Sequence, residues 1–185
     1  MLREIKSPIN PFCPEQGLTD RTVTITSAGV IVFVDTGKDA LDLLLTRQAD
    51  QPNKPWGIPA GRVEPTDLSL EDTAKREVRE ETGLEFKNEE LVEFGLIMTS
   101  THLNRRAGLF VTFIDVSRLN TAHNFVDSDG VMCFPPPVGV DTQEIDLLGL
   151  VSPDHLKYSI HTPLGRKLYR KEALMTYLYV TTGIQ

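Results

Sequence analysis

The stretch from Ser69 to Leu84 constrains this chain more than any other. Ser69 can cap a helix, Glu71 and Asp72 suit its first turn, and Gly83 can stop it in a left-handed conformation. The spacing therefore predicts a helix from Ser69 to Thr82. At about 100° per residue, Glu77, Glu80 and Glu81 share an arc about 100° wide. Leu70, Ala74 and Val78 fill the adjoining arc. The apolar side chains can anchor the helix while the acids line the margin of its buried face. Carboxylates held at such a margin are costly unless a cation offsets their charge. Oxygen-only donors suit Mg²⁺ or Mn²⁺ better than zinc. Taken alone, the same three glutamates also fit a solvated acidic face, so the flanking residues decide.

The rest of the chain supplies a frame for that helix. Thr22 to Val34 is rich in β-branched residues and reads as a strand, buried on both faces toward its end. Asp35 to Asp39 is a turn and Leu41 to Arg47 a second strand, so the two form a hairpin. Residues 48–55 are a polar loop, followed by the short apolar segment Trp56-Gly57-Ile58-Pro59-Ala60-Gly61. Further strands are expected at 91–99, 107–116 and 144–151, with 120–143 as a long connection containing Pro135 to Pro137. Thr162-Pro163 is a cap and first-turn pair that opens a C-terminal helix to about Tyr179. Residues 1–21 read as an irregular N-terminal segment, and 22–185 as one domain that includes the last helix. Intermixed strands and helices favour an α/β layered domain with a mixed sheet.

Composition excludes several functions. A net charge of −7 over 185 residues argues against an extended nucleic-acid surface. The N-terminus lacks the apolar stretch of a signal peptide, and no apolar run approaches the roughly eighteen residues of a membrane span. The expected compartment is the cytoplasm. Cys13 and Cys133 have no metal-ligand spacing and read as reduced thiols.

The flanks of the acidic run carry a resemblance. Gly61, Arg76-Glu77-Val78, Glu80-Glu81 and Gly83-Leu84 closely resemble the Nudix box of the Nudix hydrolases. The approach, Trp56-Gly57-Ile58-Pro59-Ala60-Gly61-Arg62-Val63-Glu64, looks like that family's lead-in, and the likeness extends over roughly residues 22–160. It implies an α-β-α sandwich around a mixed central sheet. It also implies hydrolysis of the diphosphate linkage in a nucleoside diphosphate derivative, by attack of an activated water on phosphorus. By position in the motif, Glu77, Glu80 and Glu81 match the family's metal-binding glutamates. Arg76 matches the arginine that positions them, and Gly61 and Gly83 match the turn glycines. Mg²⁺, or Mn²⁺, is the implied cofactor. The catalytic base is either Glu80 or a glutamate of a later loop, for which Glu144 is the candidate. Arg47, Arg105 and Arg106 are candidate substrate contacts. Many relatives are dimers, which makes a homodimer an admissible assembly.

One departure stands out. An extra residue lies between Gly61 and the helix, so the position of the family's first glutamate, counted back from Arg76, holds Leu68 with Asp67 beside it. Either the site is weakened, or Asp67, Glu64 or Glu71 supplies the missing charge to Arg76. A non-catalytic nucleotide-binding or regulatory module is the alternative that this departure raises. Substrate markers give no choice: Ile97 to His102 holds neither the proline associated with ADP-ribose nor the tyrosine associated with dinucleoside polyphosphates.

Overall fold

The computed structural model describes residues 24–51, 55–100 and 105–160. In chain order the elements are β1 (Thr24–Asp35), β2 (Asp42–Gln48), β3 (Trp56–Gly57), β4 (Ala60–Arg62) and α1 (Leu70–Thr82). Then come β5 (Val92–Ser100), β6 (Arg105–Asp115), β7 (Phe125–Val126), β8 (Met132–Phe134), β9 (Ile145–Val151) and α2 (Pro153–Ile160). The strands form one mixed sheet in the order β5-β6-β1-β2-β9-β8-β7. β1 and β6 run parallel over almost their whole lengths, from Thr24↔Arg105 to Asp35↔Asp115, and the other neighbours are antiparallel.

β1 explains the layering. Its residues alternate between two apolar cores, as a strand buried on both faces must. Ala28, Val30, Val32 and Val34 face one core with Ala74 and Val78 of α1. Ile31 faces the other with Leu43, Leu45, Trp56 and Leu156 of α2. Helices therefore lie on both faces of the sheet, as the α-β-α expectation requires. Val78 is fully buried, and such a side chain contributes about 1.5–3 kcal/mol on leaving water.

One edge of β1 serves two partners. Val32 to Val34 pair with β2, whereas Ser27 to Gly29 pair with Ala60 to Arg62 of β4. β4, which carries Gly61, also packs against α1.

The hairpin of β1 and β2 forms with Val32 opposite Leu44. Two expectations are corrected. The 120–143 connection is partly sheet, because β7 and β8 extend the antiparallel edge beyond β9 and bury Cys133 and Phe134. A helix also forms at 153–160, where none was expected. Ser152 caps it, accepting a hydrogen bond from the His155 amide at 3.3 Å. The segment 1–21 and the helix expected at 162–179 lie outside the described residues. Among the described residues, no helix is long and apolar enough to cross a membrane.

Candidate metal and phosphate site

The helix α1 begins and ends as its sequence dictates. Ser69 Oγ accepts from the Asp72 amide at 3.0 Å, and Gly83 adopts φ 72° while its N–H donates to Arg79 O at 2.9 Å. Both glycines of the motif are fixed by close approach. A Cβ on Gly61 would stand 2.2 Å from the Glu77 carboxyl carbon, and one on Gly83 would stand 2.4 Å from the Pro137 ring. The first contact presses the β4 loop onto an acid of α1. The second sets the proline-rich segment against the helix end, which brings residues 139–145 alongside the acids.

Arg76 is the hub of the outer half of the site. Its Nε and Nη2 donate to the two oxygens of Asp67 at 3.1 and 3.0 Å. Nη1 donates to Glu77 Oε1 at 2.7 Å and to Glu80 Oε2 at 3.1 Å, and Nη2 also reaches the Arg62 carbonyl at 2.7 Å. Glu64 stands farther off, 3.7 Å from Nη1. The Arg76 guanidinium, with help from the Glu64 amide, holds the Asp67 carboxyl well below its ordinary range. The guanidinium is itself held firmly protonated, first by Asp67 and then by Glu77.

This resolves the departure in the motif. Of the three acids that could have served Arg76, Asp67 makes the bidentate bond; Glu71 instead pairs with Lys75 at 2.7 Å. Counted forward from Gly61 rather than back from Arg76, the acidic position of the family pattern falls on Asp67. The extra residue is Leu68, whose side chain is 94% exposed. Asp67 is tied further by the Glu64 amide at 2.8 Å and the Thr73 hydroxyl at 2.9 Å.

Among the described residues, the inner half of the site has no such cation. Glu81 is 3% exposed. Its Oε2 accepts from Thr46 Oγ1 at 2.8 Å, and the Ala60 amide also bonds to the carboxylate. Burial pushes the Glu81 carboxyl up to about 8, helped by the charges of Glu77 and Glu144 and opposed by the Thr46 hydroxyl. Burial likewise raises Glu77, against the pull of Arg76. Glu80 is half exposed. Glu80, Glu81, Gly139, Asp141, Glu144 and Ile145 line an open cleft of about 190 Å³. Glu144 is thus across the cleft from the helix acids. Its backbone is fixed by Ala49 N–H donating to Glu144 O at 2.7 Å, and its own amide donates to Asp141 O at 3.1 Å. Asp141 was not anticipated from sequence. Its carboxylate accepts from the Gln143 amide at 2.9 Å, an Asx-type turn that the sequence Asp141-Thr142-Gln143 could have signalled.

The candidate substrate arginines are placed differently. Arg47 lies on the sheet face opposite Thr46 by strand alternation. It forms a bidentate pair with Asp146 at 2.6 and 2.9 Å and lies 5.8 Å from the Trp56 ring centroid. Asp146 holds it protonated. Arg47 is thus engaged in an ion pair, and it is not among the residues that line the cleft. Trp56 is buried against Gly149. The backbones of Arg105 and Arg106 open β6, and their side chains, like all of His102 and Asn104, lie outside the described residues.

The donor set fits a hard divalent cation. The polar side chains that line the cleft, Glu80, Glu81, Asp141 and Glu144, are all oxygen donors, and the buried Glu81 is an acid whose ionisation is opposed by its surroundings. Among the described residues, no three acidic, imidazole or thiol groups already surround a common point. Gathering ligands there entails side-chain rotation, for which the half-exposed Glu80 has room.

Comparison with known proteins agrees with this geometry. The NUDIX domain profile matches residues 24–171. An uncharacterized 17.7 kDa protein of Enterobacteria phage T4 is 33% identical over 152 residues, covering 78% of this chain and 90% of the phage protein. Among solved structures, the NUDIX domain of Shewanella oneidensis NrtR complexed with ADP ribose has a TM-score of 0.57 at 12% identity, covering 90% of this chain and 91% of that one. A C. elegans Ap4A hydrolase has a TM-score of 0.50 at 15% identity, covering 85% and 98%. At these identities the two structures speak to the fold.

Proposed function

The chain belongs to the Nudix hydrolase family, and from that premise we propose that it is a divalent-cation-dependent hydrolase of the diphosphate linkage in a nucleoside diphosphate derivative. The observation that carries the reading is the cleft shared by Glu80, Glu81 and Glu144, with Glu77 pressed against Gly61 beside it. Glu77, Glu80 and Glu81 would hold Mg²⁺ or Mn²⁺. When bound, the cation supplies charge compensation for phosphoryl oxygens and for the leaving group. The chain's own residues do the rest. Arg76 orients Glu77 and Glu80 through one nitrogen. Thr46 and the Ala60 amide hold Glu81. Glu144, carried by a loop across from the helix, takes the proton of the attacking water as its oxygen bonds to phosphorus and the bridging P–O bond breaks.

Asp67 bears on the choice between enzyme and binding module. The bidentate Asp67–Arg76 pair supports the catalytic reading, because an acid still serves Arg76 although Leu68 holds the neighbouring position. The non-catalytic reading retains one support: the NrtR domain was solved with ADP ribose.

The test is a panel of ADP-ribose, nucleotide sugars, dinucleoside polyphosphates and nucleoside triphosphates, assayed with Mg²⁺ or Mn²⁺. Glu80→Gln and Glu81→Gln serve as controls. Metal-dependent diphosphate cleavage that both variants lose supports the proposal. Calorimetric binding of a panel member without turnover of any would favour the binding module.

A further inference from the structure

β2 reads Leu43-Leu44-Leu45-Thr46, and alternation turns Leu44 and Thr46 toward α1. Thr46 is fully buried in a place where valine would fill the same volume. A buried hydroxyl without a partner costs free energy, so its presence asks for one. The partner is Glu81 Oε2 at 2.8 Å; the Gly57 carbonyl, at 3.5 Å, is a marginal second acceptor. A hydroxyl has one proton to give, and the shorter contact directs it to Glu81 Oε2. Threonine is also stiff at χ1. The strand therefore fixes where the hydroxyl points, and the carboxylate conforms to it.

The strand is well anchored for such a role. Leu44 pairs with Val32 on one side and Leu150 on the other, and Thr46 itself lies opposite Gly57 and Leu148. Just beyond a register shift between Arg47 and Gln48, the Ala49 amide donates to Glu144 O. One short segment thus holds an acid on the helix side of the cleft and the backbone of an acid on the loop side.

We propose that Thr46 is a positioning residue for Glu81, its hydroxyl holding Oε2 against β2 and so setting the orientation that the carboxylate presents to a divalent cation in the cleft. The inference rests on the metal-dependent reading above and adds to it a residue outside the box that fixes one ligand.

The test compares Thr46→Val, which keeps the shape and removes the hydroxyl, with Thr46→Ser, which keeps the hydroxyl. Mn²⁺ binding is followed by electron paramagnetic resonance on the purified full chain without substrate. Thr46→Val should weaken Mn²⁺ binding about tenfold or more, and Thr46→Ser should stay within about threefold of the unmodified protein. At saturating Mn²⁺, Thr46→Val should lower kcat while leaving KM for the nucleotide unchanged. Unaltered Mn²⁺ affinity in Thr46→Val overturns the inference alone. So does equal weakening in Thr46→Ser, which would assign the effect to packing. Absence of Mn²⁺ binding by the unmodified protein overturns the proposed function and this inference with it.

Discussion

Two groups of acids border the same helix and are stabilised in opposite ways. Around Arg76, the carboxylates of Asp67, Glu77 and Glu80 share one guanidinium that is the protein's own. Around Glu81, a buried acid has a hydroxyl and an amide but, among the described residues, no cation. The first group has a cation of its own, although one guanidinium faces three carboxylates, and its most tightly bound member, Asp67, is held below its ordinary pKa. The second is unbalanced, and Glu81 is pushed up to about 8. The contrast separates scaffold from working surface. Charge compensated within the chain holds the geometry, and charge left uncompensated is where an external cation has something to do. Glu77 and Glu80 belong to both groups, so Arg76 can set the geometry of the inner acids without neutralising them all.

The sharpest way to break the contrast is Glu81→Gln. As a proposed ligand, Glu81 should matter more than the roughly 10–100-fold typical of groups that only support a ligand, so metal-dependent turnover should fall by more than about a hundredfold. Next in size is removal of the scaffold charge. Asp67→Asn keeps the shape but loses the charge opposite Arg76, and activity or Mn²⁺ affinity should drop about 10–100-fold. Leu68→Glu provides the contrast: that side chain is directed to solvent, so the variant should match the parent in both measurements.

A pH series probes the imbalance directly. Glu81 in the folded, metal-free protein has a pKa above its unfolded value, so the native state keeps a proton that the unfolded chain releases. Its contribution to stability is full below the ordinary carboxylate range and is lost as pH rises to about 8. The decline should be at most about 1.4 kcal/mol per pH unit. Urea denaturation with EDTA, from pH 5 to 8.5, should show that decline in the parent and its flattening in Glu81→Gln. A small effect is expected on the far side of the sheet. Arg47→Met removes a partly exposed ion pair with Asp146 and should cost about 1 kcal/mol in denaturant melts while leaving turnover within about threefold.

The sequence revealed most where structure is local. Ser69 and Gly83 marked the ends of α1 because capping is decided within a few residues. The continuous apolar run from Val30 to Val34 marked a strand buried on both faces, again from a few adjacent residues. What it concealed depends on space. Thr46 and Glu81 are thirty-five positions apart, and nothing in the run of leucines before Thr46 distinguishes it from a core threonine. Asp67 and Leu68 compete for one role, and counting from either end of the motif gives a different answer. Only the direction of the two side chains decides it. β7 and β8 are too short to show a pattern of their own and form by successive addition, β8 to β9 and β7 to β8. The helix at 153–160 carried the same cap and proline signal as Thr162-Pro163, but a helix of eight residues is marginal without packing. Leu156 supplies that packing on the second core.

The central claim is that the acids around Glu81 are completed by a divalent cation. Its most direct measurement is thermal unfolding at pH 8, with EDTA and with Mn²⁺, of the parent and of Glu81→Gln. The account predicts a Tm that rises with Mn²⁺ in the parent, and a variant that starts higher in EDTA and gains little from Mn²⁺. An equal Mn²⁺-induced rise in both proteins, or none in the parent, would contradict it.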